Sequence, residues 1–245
     1  MLVVIYGFLI GAFVSLIGGG GASLYLGVLT SQLHIPAPIA APTSLFIALP
    51  ALFFGFLTQL KVKNVEFKIG NKMILSAIPG IVIGTVSAKY IPLNVYNWIV
   101  GLILMVMGII VLIKFFRHTE SDNNKKDSNW LAISLGLLSG LMVGIGGLSG
   151  GATTVGGLTI MGLGAVEAAG TTTYVLWVMS LIGFISHLFT SQFAWTAGLG
   201  LMVGAIVGSV ITPLVLKKMN YVKINTFLTP LLGVIIFYFG IKMIL

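Results

Sequence analysis

The stretch Ser15 to Leu26, SLIGGGGASLYL, sets four consecutive glycines, Gly18 to Gly21, inside an apolar run that would otherwise read as one helix. Glycine in a helix interior costs about 1 kcal/mol relative to alanine and contributes no side chain to packing. A segment that carries four of them in a row is one whose exposed backbone is used for something.

The surroundings say in what medium. Of 245 residues, 58% are hydrophobic and only 7% charged, and the mean hydropathy of +1.12 lies far outside the soluble globular range. The chain reads as an integral, multi-pass membrane protein. Leu2 to Ile17 has no basic region ahead of it and is followed by further apolar spans, so it is expected to be a membrane segment and not a targeting peptide. The absence of cysteine excludes disulfides, thiolate metal sites and thiol relays. The net charge of +8 comes from Lys and Arg scattered between apolar segments, the pattern of bilayer orientation and not of a nucleic-acid face.

Measured against the roughly 20 residues that cross a hydrocarbon core, the sequence predicts six ordinary spans near 38–60, 72–91, 93–116, 167–190, 195–217 and 223–244. Two further apolar regions, about 2–33 and 130–164, are too long for one span, and glycines split both near the middle. The polar segment 117–129, RHTESDNNKKDSN, divides the chain into a first repeat, 1–116, and a second, 130–245. GFLIGAFVSLIGGGGAS sets Gly7, Gly11 and Gly18 against Gly136, Gly140 and Gly147 of GLLSGLMVGIGGLSGGAT. AAPTSLF and AAGTTTY pair Thr43 and Ser44 with Thr171 and Thr172, and Gly55 falls opposite Gly183. An internal duplication is the expected origin.

Charge bears on topology. If the glycine-split regions cross the membrane, Lys and Arg divide nine against four; if they fold back as hairpins, the division is eleven against two, with only Lys89 and Lys242 on the poorer side. The positive-inside rule favours the hairpins. Arms of about 16 and 13 residues, at about 1.5 Å per residue, also reach only part of the way across. The expected fold class is therefore an all-α polytopic membrane protein of two inverted homologous repeats. Each repeat has one glycine-broken, re-entrant or discontinuous region and three transmembrane helices, and both termini lie outside the cytoplasm. An eight-span arrangement of parallel repeats, with both termini inside, stays open.

In the hairpin arrangement the tips Gly18 to Gly21 and Gly147 to Gly151 are expected to meet near the midplane. Short helices would begin near Ala22 and Ala152 and present unpaired N–H groups and the positive end of a macrodipole. That is an anion site, to which Ser23, Ser149, Thr153 and Thr154 add hydroxyl donors. Neither tip completes a phosphate-binding GxxxxGK[ST] or a GxGxxG pattern, so nucleotide binding is not expected. The glycines spaced by four, Gly7/Gly11, Gly80/Gly84, Gly136/Gly140/Gly144 and Gly200/Gly204/Gly208, read instead as helix packing.

With the duplicated tips, APTSLF after the first and KVKNVEFK after the second span, the chain resembles the TauE/SafE family of sulfite and organosulfonate exporters and permeases. Asn64, Val65, Glu66 and Phe67 fill a stretch that in the family often reads Gly-Asn-Val-Asp-Trp, and Gln192, Phe193, Ala194 and Trp195 are its degenerate copy. The resemblance implies transport of small sulfur-containing anions, such as sulfite, thiosulfate or sulfonates, in a prokaryotic cell membrane, without a cofactor.

The expected substrate-binding set is thus Gly18, Gly19, Gly20, Gly21, Ala22, Ser23, Thr43, Ser44, Gly147, Ser149, Gly150, Gly151, Ala152, Thr153, Thr171 and Thr172. Gln59, Glu167, Trp177 and His187 are candidates for gating or coupling, with Gln59 and His187 at equivalent positions in the two halves. Glu66 and Glu167 are the only acids outside 117–129, so no buried carboxylate relay is visible. The expected partners are a small anion and the bilayer, with no nucleic acid and no metal. Rival readings are an anion channel of the same fold, a non-transporting membrane subunit, and, lacking any Ser/His/acid set, a membrane-embedded enzyme.

Overall fold

A computed structural model describes residues 2–17, 21–116, 129–148, 150–161, 163–189, 191–216 and 221–245. Gly18, Gly19, Gly20, Ser149 and most of the central loop lie outside them. The described residues form ten α-helices: α1 (Leu2–Ile17), α2 (Ala22–Ser31), α3 (Ala37–Lys61), α4 (Phe67–Ala88), α5 (Leu93–Phe116), α6 (Asn129–Gly146), α7 (Gly151–Ile160), α8 (Ala165–Leu188), α9 (Trp195–Leu216) and α10 (Tyr221–Ile244). Among the described residues four, Ala37–Lys61, Phe67–Ala88, Leu93–Ile110 and Val166–Leu188, are long and apolar enough to cross a membrane.

The boundaries have local causes. α3 opens behind Pro36 with Pro38 in its first turn, where a missing N–H costs nothing. Pro42 and Pro50 inside α3, and Pro79 inside α4, are tolerated because neighbouring helices shield the interrupted ladder. The start of α4 falls five residues ahead of the expected 72, at Phe67. Lys68 and Lys72 hide this turn from a hydropathy reading, whereas the Glu66 N–H that precedes it is bonded by Thr171 Oγ1 at 2.9 Å.

Apolar burial does little to hold helices together in lipid, so close backbone approach has to. The glycines provide it. Gly136, Gly140 and Gly144 of α6 face the backbone of Met73, Ala77 and Ile81 of α4, in the same order along both helices. Gly7 and Gly11 of α1 face Leu201 and Ala205 of α9 likewise. These two pairs run parallel and form the most extensive helix interfaces among the described residues. The packing role expected of the spaced glycines is what the structure shows.

Two more interfaces run the other way. Gly101 of α5 faces Gly240 of α10 while Gly108 faces Gly233, so these helices are antiparallel. In the aromatic seam between α3 and α8, Phe46 stacks on Phe184 at 5.3 Å and Phe56 on Trp177 at 5.5 Å, again antiparallel. α7 doubles back along α6, with Gly157 beside Leu135 and Thr153 beside Ser139. α2 runs with α10, where Gly27 faces Phe239 and Lys242 Nζ donates to the Ser31 carbonyl at 2.8 Å.

Candidate functional site: the second glycine turn and its adjoining cavity

α6 stops because Gly147 adopts φ +61°, a left-handed cap whose N–H donates to the Val143 carbonyl at 3.0 Å. Gly150 adopts φ +57°, and α7 begins at the next residue. A Cβ on Gly147 would collide with the Ala41 carbonyl of α3, so only glycine fits there. From the other half of the chain Ser44 Oγ donates to the Gly147 carbonyl at 3.0 Å and to the Ala41 carbonyl at 2.7 Å. Thus the turn, an expected tip, and Ser44, an expected hydroxyl, do come together.

The turn lies in the first third of α3, beside Ala41 and Ser44, and in the first third of α5, where Val100 packs against Gly146. The second tip is therefore displaced from the middle of these helices, while Gly18 to Gly20 of the first tip lie outside the described residues. The physical reason for the displacement is that α6, at 18 residues, follows the parallel α4 through most of its length before the glycines stop it.

Hydroxyls surround the start of α7. Thr153 Oγ1 bonds the Gly150 carbonyl at 2.7 Å and lies 2.7 Å from Ser139 Oγ; Thr154 Oγ1 bonds the same carbonyl at 3.0 Å. Gly151 opens α7 and Ala152 stands in its first turn. At the first break, Gly21 caps α2 and is buried with Ala22, and its carbonyl accepts from the Leu24 and Tyr25 N–H groups at 3.0 Å each. The hydroxyls of Ser23 and Thr172 are buried without a hydrogen-bond partner.

Thr43 and Thr171 are engaged elsewhere. Thr43 Oγ1 accepts the Ala194 N–H at 3.2 Å ahead of α9, as Thr171 accepts Glu66 N–H ahead of α4. Each fixes the entry of a fourth helix of the opposite half. They stand at opposite ends of the antiparallel α3 and α8. Gln59 accepts from Asn64 Nδ2 at 3.0 Å, Glu167 is exposed in the first turn of α8, and Trp177 belongs to the aromatic seam with Phe53 and Phe56.

His187 is 1% exposed, with Nδ1 3.2 Å from Ser191 Oγ and Nε2 without a partner. Its ring lies beside the Val143 and Gly144 backbone at the end of α6. It also lines a cavity of about 300 Å³ with Lys89, Tyr96, Ser191 and Gln192. The Tyr96 hydroxyl donates to the Ile145 carbonyl, so the cavity and the glycine turn share a wall. Sequence reasoning passed over Lys89, Tyr96, Ser191 and Gln192 as cavity residues. Lys89 entered only as a topology charge, though its isolation on the charge-poor side was a usable signal.

A family model described as "Sulfite exporter TauE/SafE" matches residues 3–243. The "Probable membrane transporter protein YdhB" of Bacillus subtilis is 28% identical over 247 residues, covering 98% of this chain and 100% of that one. YunE of the same organism, also named a probable membrane transporter protein, is 23% identical, with 98% of both chains covered. MJ0441 of Methanocaldococcus jannaschii, named likewise, is 24% identical over 94% of this chain and 87% of its own. No solved structure matches.

Proposed function

The chain belongs to the sulfite exporter TauE/SafE family of multi-pass membrane transporters, and on that premise we propose that its substrate is a small, sulfur-containing anion, such as sulfite, thiosulfate or an organosulfonate. The anion binds at the glycine breaks between α1 and α2 and between α6 and α7. The observation that carries this reading is the turn Gly147–Gly150. Irregular backbone inside a membrane protein persists where it serves a polar cavity. Here it opens a helix whose first N–H groups lack partners within the helix and face an anion favourably.

The architecture of this reading is two inverted repeats with re-entrant hairpins. Equivalent helices of two parallel repeats would run parallel, whereas the pairs α3/α8 and α5/α10 run antiparallel. The reversal of α7 against α6 and the course of α2 beside α10 support the hairpins. Relative rocking of the repeats then exposes the site to each side in turn. With no carboxylate at the turn among the described residues, backbone dipoles do the holding there, joined at the first break by the unpartnered hydroxyl of Ser23, which suits weak binding and fast release.

The test is uptake by purified protein in liposomes of sulfite, thiosulfate, a simple sulfonate, sulfate and chloride, with and without a pH gradient. Saturable flux and counterflow of one sulfur anion is the expected result. Non-saturating flux of chloride and sulfate alike would point to a channel, and no flux of any would overturn the sulfur-anion assignment.

A further inference from the structure

The cavity beside the glycine turn has a chemistry of its own. None of its lining residues is acidic, and Lys89, His187 and Gln192 line it from the end of α4, the last turn of α8 and the segment 191–194. His187 Nδ1 lies 3.2 Å from Ser191 Oγ, and the ring also faces the Val143 and Gly144 backbone at the end of α6, so the imidazole stands between the cavity and the glycine turn. The nearest acids of the same helices are remote. Glu66 precedes the start of α4 while Lys89 caps its end, and Glu167 lies in the first turn of α8 while His187 lies in its last. Helices of 22 and 24 residues separate these ends by about 30 Å.

Only Lys89 and Lys242 break the charge bias on the poorer side of the hairpin topology. Lys242 donates to the Ser31 carbonyl at the end of α2. A lysine is favoured at any helix C-terminus, yet Lys89 also lines the cavity, together with the polar Tyr96, His187, Ser191 and Gln192 and with apolar side chains. The opposite half differs: at the same offset of 128 that relates Thr43 to Thr171, His187 becomes Gln59, which is bonded to Asn64, and the cavity residue Ile39 becomes the acidic Glu167.

We propose that this cavity is an anion-binding vestibule on the face that carries Lys89, in which Lys89 supplies the charge and the His187 imidazole and the Gln192 amide the hydrogen bonds. It takes a small oxyanion with part of its hydration shell, and passes it to the glycine turn through the wall formed by Tyr96 and His187. The inference rests on the reading of the substrate as an anion.

Equilibrium dialysis of radiolabelled sulfite against detergent-purified protein tests it. Wild type binds saturably; Lys89→Gln weakens binding about fivefold to tenfold, as loss of one charge contact near the surface should, and Lys89→Arg restores it. His187→Gln, the residue of the opposite half, weakens it as well, with thermal unfolding run alongside to show that each variant is folded. Wild type that binds no sulfite at millimolar concentration, or Lys89→Gln that binds as wild type does, overturns the vestibule. Saturable sulfite flux in liposomes with binding unchanged in Lys89→Gln would overturn the vestibule and leave the transport reading intact. Lysine-dependent binding without flux would do the reverse.

Discussion

At the scale of the residue, Thr43 and Thr171 separate two roles that a sequence cannot tell apart. A buried threonine near a helix start serves either a ligand or the backbone, and here each hydroxyl accepts one backbone N–H from a neighbouring connection. Thr171→Val would leave the Glu66 N–H unpaired at a cost of about 1–3 kcal/mol. The expected outcome is a lower unfolding temperature in detergent, with Thr171→Ser close to wild type. The two glycines of the turn divide in a similar way. Gly147→Ala drives a methyl group into the Ala41 carbonyl and is expected to prevent accumulation of folded protein. Gly150→Ala meets only Ser139, its nearest atom at 3.1 Å, and bears the left-handed strain of about 1–2 kcal/mol. It should fold with reduced stability and lose sulfite uptake; normal uptake by folded Gly150→Ala would remove the turn from the site.

The element scale is governed by how close two helices approach. Gly140 faces the Ala77 carbonyl across α4 and α6, and Gly204 faces the Val4 carbonyl across α1 and α9. Gly140→Val and Gly204→Val are each expected to part a helix pair and to reduce the yield of monodisperse protein severely in size-exclusion chromatography. Gly164→Ala, whose methyl group would reach only Glu167 Oε2 at 4.0 Å, is expected to be neutral. The spacing of four announced these packing glycines in the sequence. It did not announce their partners, because a GxxxG face is a flat surface that accepts any similar face.

For the whole molecule, the direction of the helices bears on which ends share a side. With α3 antiparallel to α8 and α5 antiparallel to α10, the hairpin topology places position 63 and the central loop on one side, and position 89 and the C-terminus on the other. The chain has no cysteine, so single cysteines report without background. Lys63→Cys is expected to react with an impermeant maleimide from one side of the membrane, and Lys89→Cys and Leu245→Cys from the other. Labelling of Leu245→Cys from the same side as Lys63→Cys would restore the eight-span arrangement of parallel repeats.

The sequence by itself determined the medium, the class and the breaks. Long apolar runs admit no soluble fold, the contiguous glycines around 147–151 read as a break in a helix, and the glycines spaced by four read as contact surfaces. These are local properties, fixed by side-chain hydrophobicity and by backbone freedom. Tertiary structure alone decided the partners: that α6 packs on α4 and α1 on α9, that Ser44 holds Gly147 across 103 residues of chain, that the turn lies off the middle, and that Lys89 stands over the same cavity as His187. Depth and partnership depend on how far one helix slides along another before backbones touch. That distance is set by small residues on both helices at once, so neither stretch of sequence carries it alone.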